Sequence, residues 1–402
     1  HEQAPSLISV SFYVRITRAL QYHLVLEETP SKLSGSFHYT PCGQSCLSHI
    51  QNTIPLASTE PPAIIMSANN PQANTHPVGI LVTNLGTPTA PTPRAVRKYL
   101  AEFLWDRRVV DMPRALWWPI LHGAVLRVRP RKSAKLYRSI WTREGSPLLV
   151  ISQRQISALQ GMLDRQCATP VRVALGMRYG EPSLRAALQR LQADGVRRLL
   201  VLPLYPQYSA STTASTFDSI VEGLRSWRWI PTLRFINGYH DHAGYIDALC
   251  QSIRLAWAER SPPDRLLFSF HGLPKRYIER GDPYDGECRT TARRVAEGLH
   301  LADERWMVSF QSRVGREEWL TPHTDELLRE WGNAGIKNIH VICPGFSADC
   351  IETLEEIEMR AREIFISQGG KTFHYIHGLN DRPEHIEALA DLIRSHAHDW
   401  LA

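Results

Sequence analysis

The stretch Arg265 to Pro274, RLLFSFHGLP, decides how this chain is read. Its apolar run is too short for a helix and shows no polar alternation, so it suits a strand buried on both faces. Gly272 permits an unusual backbone turn and Pro274 stops strand continuation, which leaves His271 at the carboxyl edge of a sheet. Seven further runs have the same length and character: 78–84, 171–176, 198–204, 231–236, 305–310, 338–343 and 372–376. Between them lie helical patterns at 146–162, 181–193, 214–226, 242–259, 284–299, 322–332, 350–366 and 382–397. Strand and helix alternating at this pace predict βαβ units, parallel sheets and helices on both faces. The fold class expected is α/β, with two Rossmann-like domains, each a four-stranded parallel sheet. We place the first domain at 76–235 and the second at 236–376, with the last helix, within 377–402, returning to the first.

Residues 1–75 differ in being rich in Ser, Thr, Pro, Asn and Gln, and we expect a disordered or non-native extension there, with Met66 as an alternative start. Cys42 and Cys46, flanked by His38 and His49, have spacing compatible with zinc, but an unstructured tail is the favoured reading. Seven scattered cysteines form no disulfide framework, which suits a reducing compartment. The excess of 46 basic over 40 acidic residues is mild and dispersed; with no recognised module, nucleic-acid binding is not expected. No run approaches the ~18 apolar residues of a membrane span. A cytoplasmic protein is expected; a monomer is also expected, though nothing in the sequence bears on the oligomeric state.

In parallel sheets, ligands bind outside the carboxyl ends of the strands. His271 stands at such an end and can act as a base or a metal ligand, because imidazole titrates near physiological pH; a structural hydrogen bond is the plainer alternative. After the strand at 338–343, the stretch PGFSADCIETLEEIE carries Glu352, Glu355, Glu356 and Glu358 at the start of a helix. Asp349 and Glu352 have the spacing of a capping box. That does not explain an acidic face continuing to Glu356 and Glu358, which could pass protons or cations. Three loops add pocket chemistry: Arg178-Tyr179-Gly180, PLYPQYSASTT at 203–213 with Ser209, and QSRVG at 311–315 followed by Trp319. Together they suit a flat apolar ligand with anionic substituents. The segment Met112–Val128, with Leu116, Trp117, Trp118 and Leu121 fringed by arginines, reads either as a lip dipping into a membrane interface or as a core helix. No G-x-G-x-x-G follows the first strand, and neither a G-x-x-x-x-G-K-[ST] loop nor a G-x-S-x-G elbow is present.

Six blocks, LVTNLGTP (81–88), Tyr137–Leu148 ending in GSPL, PLYPQYSASTT (203–213), FSFHGLP (268–274), FQSRVG (310–315) with Trp319-Leu320, and PGFSADCIETLEEI (344–357), resemble ferrochelatases of the bacterial type. The resemblance implies a lyase that inserts Fe²⁺ into protoporphyrin IX to give protohaem. It assigns His271 and Glu352 to catalysis and metal binding, and Glu356 and Glu358 to a proton or metal path. It assigns Arg178, Tyr179, Ser209, Trp319, Tyr137 and Ser146 to porphyrin binding, and Leu116, Trp117, Trp118 and Leu121 to a membrane lip, with peripheral contact at the inner membrane. A [2Fe–2S] cluster, bound by cysteines in many of these enzymes, is not expected: Ala210 stands at the first ligand position, and two thiols, Cys343 and Cys350, fall short of four. Iron is substrate, and no cofactor is required. The alternatives are a chelatase for coproporphyrin or cobalt, and a non-catalytic haem carrier.

Overall fold

A computed structural model describes residues 76–402 except Arg316; the Met66 start and the Cys42–Cys46 pair lie outside the described residues. The predicted strands are all present: β1 (Val78–Thr87), β2 (Val171–Gly180), β3 (Arg198–Pro203), β4 (Thr232–Phe235), β5 (Arg265–His271), β6 (Trp306–Gln311), β7 (Asn338–Ile342) and β8 (Thr372–Ile376). They form two parallel four-stranded sheets of identical winding, β2-β1-β3-β4 and β6-β5-β7-β8. β1 and β2 run further than expected because they continue to pair through Gly86↔Tyr179 and Thr87↔Gly180.

The helices are α1 (Pro93–Trp105), α2 (Arg114–Ile120), α3 (Leu126–Ile140), α4 (Pro147–Gln166), α5 (Leu184–Ala193), α6 (Ser215–Leu224), α7 (Ala243–Glu259), α8 (Lys275–Glu279), α9 (Tyr284–Gly298), α10 (Thr324–Asn333), α11 (Arg362–Ser367) and α12 (Pro383–Leu401). Helices α1, α3 and α8 were not among the predicted patterns, whereas α2 falls in Met112–Val128, one reading of which was a core helix. Thr92 and Pro93 do carry a start signal, since the Thr92 hydroxyl accepts from Ala95 N and Pro93 sits where a missing N–H costs nothing. The segments Leu121–Val125, Ala210–Ala214 and Glu352–Ala361 are π-helical, so the helix expected over 350–366 is mostly wound with i→i+5 bonds.

Strand alternation assigns the core. Ile80, Val82, Leu200 and Leu202 face one apolar cluster, and Leu81, Leu199 and Val201 face another against α5 and α6. The first cluster also takes Leu266, Phe268 and Phe270 of β5, so the two sheets share one core. α12 packs on α4 and α7; the Thr169 hydroxyl donates to Ala402 O (3.0 Å), and Arg234 pairs with Asp399 (2.7 Å). The loops leaving β3 and β7 meet, with Ser347 Oγ donating to Leu204 O (3.0 Å), and α7 joins them through Tyr245 OH donating to Pro344 O (2.6 Å).

The buried Gln155 amide of α4 fastens this junction, donating to Ser347 O (2.8 Å) and Asn380 O (3.0 Å). Gln155→Ala leaves both carbonyls without that donor and is expected to lower the unfolding free energy by about 1–3 kcal/mol. Urea titration checks this; an unchanged midpoint would mean that the junction does not depend on Gln155.

Candidate active site

His271 closes β5, opposite Gln311 in the β6 register. Its Nδ1 lies 2.7 Å from Gly272 O. A carbonyl can only accept, so Nδ1 carries the proton and Nε2 of the neutral ring keeps its lone pair. Gly272 is sterically required: a Cβ there would lie 2.7 Å from Gln311 O and 3.1 Å from the Trp319 ring. Trp319 is held against this turn by a bridge to Pro274 and by Leu320 N donating to Leu273 O (2.9 Å).

Glu352 enters from the other side of β5, at the start of the π-helical segment after β7. In the order β6-β5-β7-β8, the connections leaving β5 and β7 fall on opposite sides of the switch between them, where parallel sheets open a crevice. Gln311 links the two residues. It faces His271 in the ladder, its Nε2 donates to Glu352 O (2.8 Å), and its Oε1 accepts from Ser269 Oγ (2.7 Å). The Glu352 charge acts on Tyr99 and Tyr137, whose rings meet edge to face at 6.5 Å. Burial above all, with the tyrosines' mutual repulsion and Glu352 adding to it, pushes the Tyr99 phenol far up; burial and then Glu352 do the same to Tyr137. Burial and the same carboxylate also push the Cys350 thiol up. Tyr99 was not singled out from the sequence, because an aromatic on an amphipathic helix is ordinarily core.

The other glutamates diverge. Glu356 is engaged by Ser312 N (2.8 Å) and Ser312 Oγ (2.6 Å), and Glu355 pairs with Arg360 (2.7 Å). Glu358 acts electrostatically on His377. The capping box does not form. Instead the Asp349 carboxylate accepts from Tyr375 OH (2.7 Å), Asn380 Nδ2 (2.8 Å), Thr353 Oγ1 (2.9 Å), His377 Nδ1 (3.0 Å) and Gly378 N (3.2 Å). Burial alone would raise Asp349, but the donors His377, Asn380 and Tyr375 hold it below the usual range.

A second carboxylate hub organises the first half. Asp106 accepts from the Arg178 guanidinium, Tyr179 OH (2.8 Å) and Ser215 Oγ (2.6 Å). Burial opposes its charge, and the bonds from Ser215, Arg108 N and Arg178 outweigh that, so its carboxyl lies below the ordinary range. Neither Asp106 nor Ser215 belongs to a block that marked it in the sequence. A cleft of about 610 Å³ lined by Trp105, Asp106, Trp118, His122 and Arg178 brings Arg178 to the lip; His271 and Glu352 do not line it.

Several expected ligand contacts have protein partners instead. Ser209 is buried, donates to Asp282 Oδ2 (3.0 Å) and accepts from Ser211 N; Ser146 is buried and shares a hydrogen bond with Thr87 Oγ1 (2.8 Å). The lip is split by helical periodicity: Leu116 and Trp118 are 44% and 57% exposed, whereas Leu121 is fully buried and Trp117 donates its Nε1 to Leu104 O (2.7 Å) inside the core. Trp117 and Leu121 therefore do not belong to the lip.

Fold and site together define a class: a doubly wound two-sheet protein in which an imidazole and a carboxylate arrive from strands flanking one switch point, with an arginine- and tryptophan-lined cleft nearby. The family model described as Ferrochelatase matches residues 77–397. The ferrochelatase of Thioalkalivibrio sulfidiphilus is 55% identical over 323 residues, spanning 80% of this chain and 88% of that protein. That of Pectobacterium atrosepticum is 54% identical over 315 residues, spanning 78% and 97%. Among solved structures, SirB from Bacillus subtilis with Fe3+ superposes with a TM-score of 0.48 at 12% identity, over 80% of this chain and 97% of that one. The chain belongs to the ferrochelatase family.

Two measurements test these contacts. His377 is raised by its hydrogen bond to Asp349. Its contribution to stability is therefore complete below the ordinary imidazole value of ~6.5 and is lost as pH rises through the higher folded value. The urea midpoints of the parent and His377→Gln should converge as pH increases; a gap that widens with pH would contradict the assignment. Gly272→Ala should displace Trp319 or Gln311, visible as an altered tryptophan emission, and an unaltered spectrum with full activity would show that the turn tolerates a side chain.

Proposed function

We propose that this protein inserts ferrous iron into protoporphyrin IX to give protohaem, with His271 and Glu352 as the groups that handle the pyrrole protons and the metal. Insertion exchanges two pyrrole N–H protons for one Fe²⁺, so the site needs an acceptor at the ring face and a route for protons and cation. The observation that carries the reading is the Nδ1–H bond to Gly272 O, because it leaves Nε2 as a lone-pair acceptor on a rigid strand end. Glu352 supplies negative charge beside two phenols that remain protonated donors, and a nitrogen with carboxylates holds ferrous iron without trapping it. Of the dispersed glutamates we assign Glu356, bound by Ser312, to the path, and leave Glu358, whose charge acts on His377, off it. Ring bending would be driven from the periphery, by contacts with Arg178, Trp319 and the lip rather than with the reacting centre. No resident cofactor is needed, because iron enters as substrate.

Among the described residues no helix is long and apolar enough to cross a membrane. We assign peripheral membrane contact to Leu116, Trp118 and Val128, exposed apolar side chains flanked by Arg127, Arg131 and Lys132, a composition suited to an anionic lipid interface.

Purified protein given protoporphyrin and Fe²⁺ should convert the free-base absorption spectrum to that of the metallated ring. Replacement of His271 by Ala should reduce turnover by about 10²–10⁴-fold while porphyrin binding persists; undiminished turnover would remove His271 from the mechanism. Glu352→Gln should slow insertion without releasing porphyrin, and a near-normal rate would reduce Glu352 to a helix residue. Trp118→Glu should weaken co-sedimentation with vesicles containing anionic lipid, and equal sedimentation would place the membrane face elsewhere.

A further inference from the structure

A second cleft, of about 440 Å³, opens between α5, the turn before β3 and the loop before β4. Arg197 immediately precedes β3, and Trp229 lies just before β4, so this cleft sits at the amino ends of the first sheet. It is separated from the carboxyl edge by the length of β3, about 20 Å at ~3.3 Å per residue. The iron-insertion chemistry proposed above makes no use of it.

Its lining has a definite chemical character. Arg185, Arg197 and Arg228 all face it, and among the described residues none of them makes an ion pair or a side-chain hydrogen bond. The neighbouring Arg225 differs in having a carboxylate partner, Glu222 (2.9 Å). Three guanidinium groups gathered in one concavity without a counter-charge favour an anion, which they can bind through paired N–H donors. The Arg197 guanidinium also lies 4.7 Å from the Trp229 ring centroid, and Trp229 is 63% exposed, so a planar surface stands at the mouth. Gln189 and Gln192 of α5 add amide groups that make no side-chain hydrogen bond among the described residues and can read the edge of a polar ring. The volume falls within the ~300–1,000 Å³ range of small-molecule sites.

We propose that this cleft is a second ligand site, taking a planar aromatic anion of mononucleotide size, with the ring against Trp229 and Arg197 and the anionic group on Arg185 and Arg228. Because it lies at the opposite strand ends from His271 and Glu352, both sites can be filled at once.

Isothermal titration of the full chain with ADP, pyrophosphate and adenosine tests the proposal. ADP should bind once per chain, with pyrophosphate and adenosine each at least tenfold weaker, since each lacks one half of the recognised chemistry. The double variant Arg197→Ala/Arg228→Ala should lose at least tenfold in ADP affinity while iron insertion and thermal midpoint stay at parental levels. Should that variant fail to fold, Trp229→Leu, a change at an exposed side chain, should weaken ADP binding at least threefold. Absence of saturable ADP binding, pyrophosphate binding as tight as ADP, or ADP affinity unaffected by the variants would each overturn the site.

Discussion

The structure depends on β5 being held in parallel register between β6 and β7. That register places His271 beside Gln311 and lets the Gln311 side chain reach the carbonyl of Glu352, so that residues 81 positions apart in the chain share one neighbour. A slip of one residue would turn His271 to the opposite face and move Phe268 and Phe270 out of the shared core, which is why the apolar alternation of β5 and the placement of the imidazole are a single constraint.

Around this edge, buried charge is handled the same way twice. Asp106 and Asp349 are carboxylates taken out of water, and each collects several donors that more than offset desolvation. Asp106 gathers Arg178, Tyr179 and Ser215 at the carboxyl end of β2; Asp349 gathers Tyr375, His377 and Asn380 and so fixes the start of the segment that carries Glu352. Unlike these two hubs, Glu352 collects no set of donors; among the described residues its side-chain hydrogen-bond partner is the Cys350 thiol.

Much of this was legible in the sequence because it follows from period and punctuation. Runs buried on both faces gave all eight strands, and His271 followed from a glycine and a proline placed just after one of them. The identities of His271 and Glu352 as a pair came from resemblance, since spacing alone could not bring the β5 and β7 loops together. What was not legible depended on side-chain direction. Trp117 and Trp118 are adjacent and chemically identical, yet a 100° step around a helix sends one into the core and the other to solvent. The row of glutamates reads as continuous, but winding with i→i+5 bonds and the separate partners Ser312, Arg360 and His377 disperse it. Asp106 and Tyr99 lacked any local signal, because their importance lies in partners distant in sequence.

The central claim is that a tetrapyrrole sits with its pyrrole nitrogens between the free imidazole nitrogen of one strand end and the carboxylate of the next. A crystal structure of the protein with metal-free porphyrin bound tests this most directly. The account predicts His271 Nε2 facing the ring centre, Nδ1 still bonded to Gly272 O, and Glu352 across the ring from it. A ring held elsewhere, or an imidazole flipped so that Nε2 faces the protein, would contradict it.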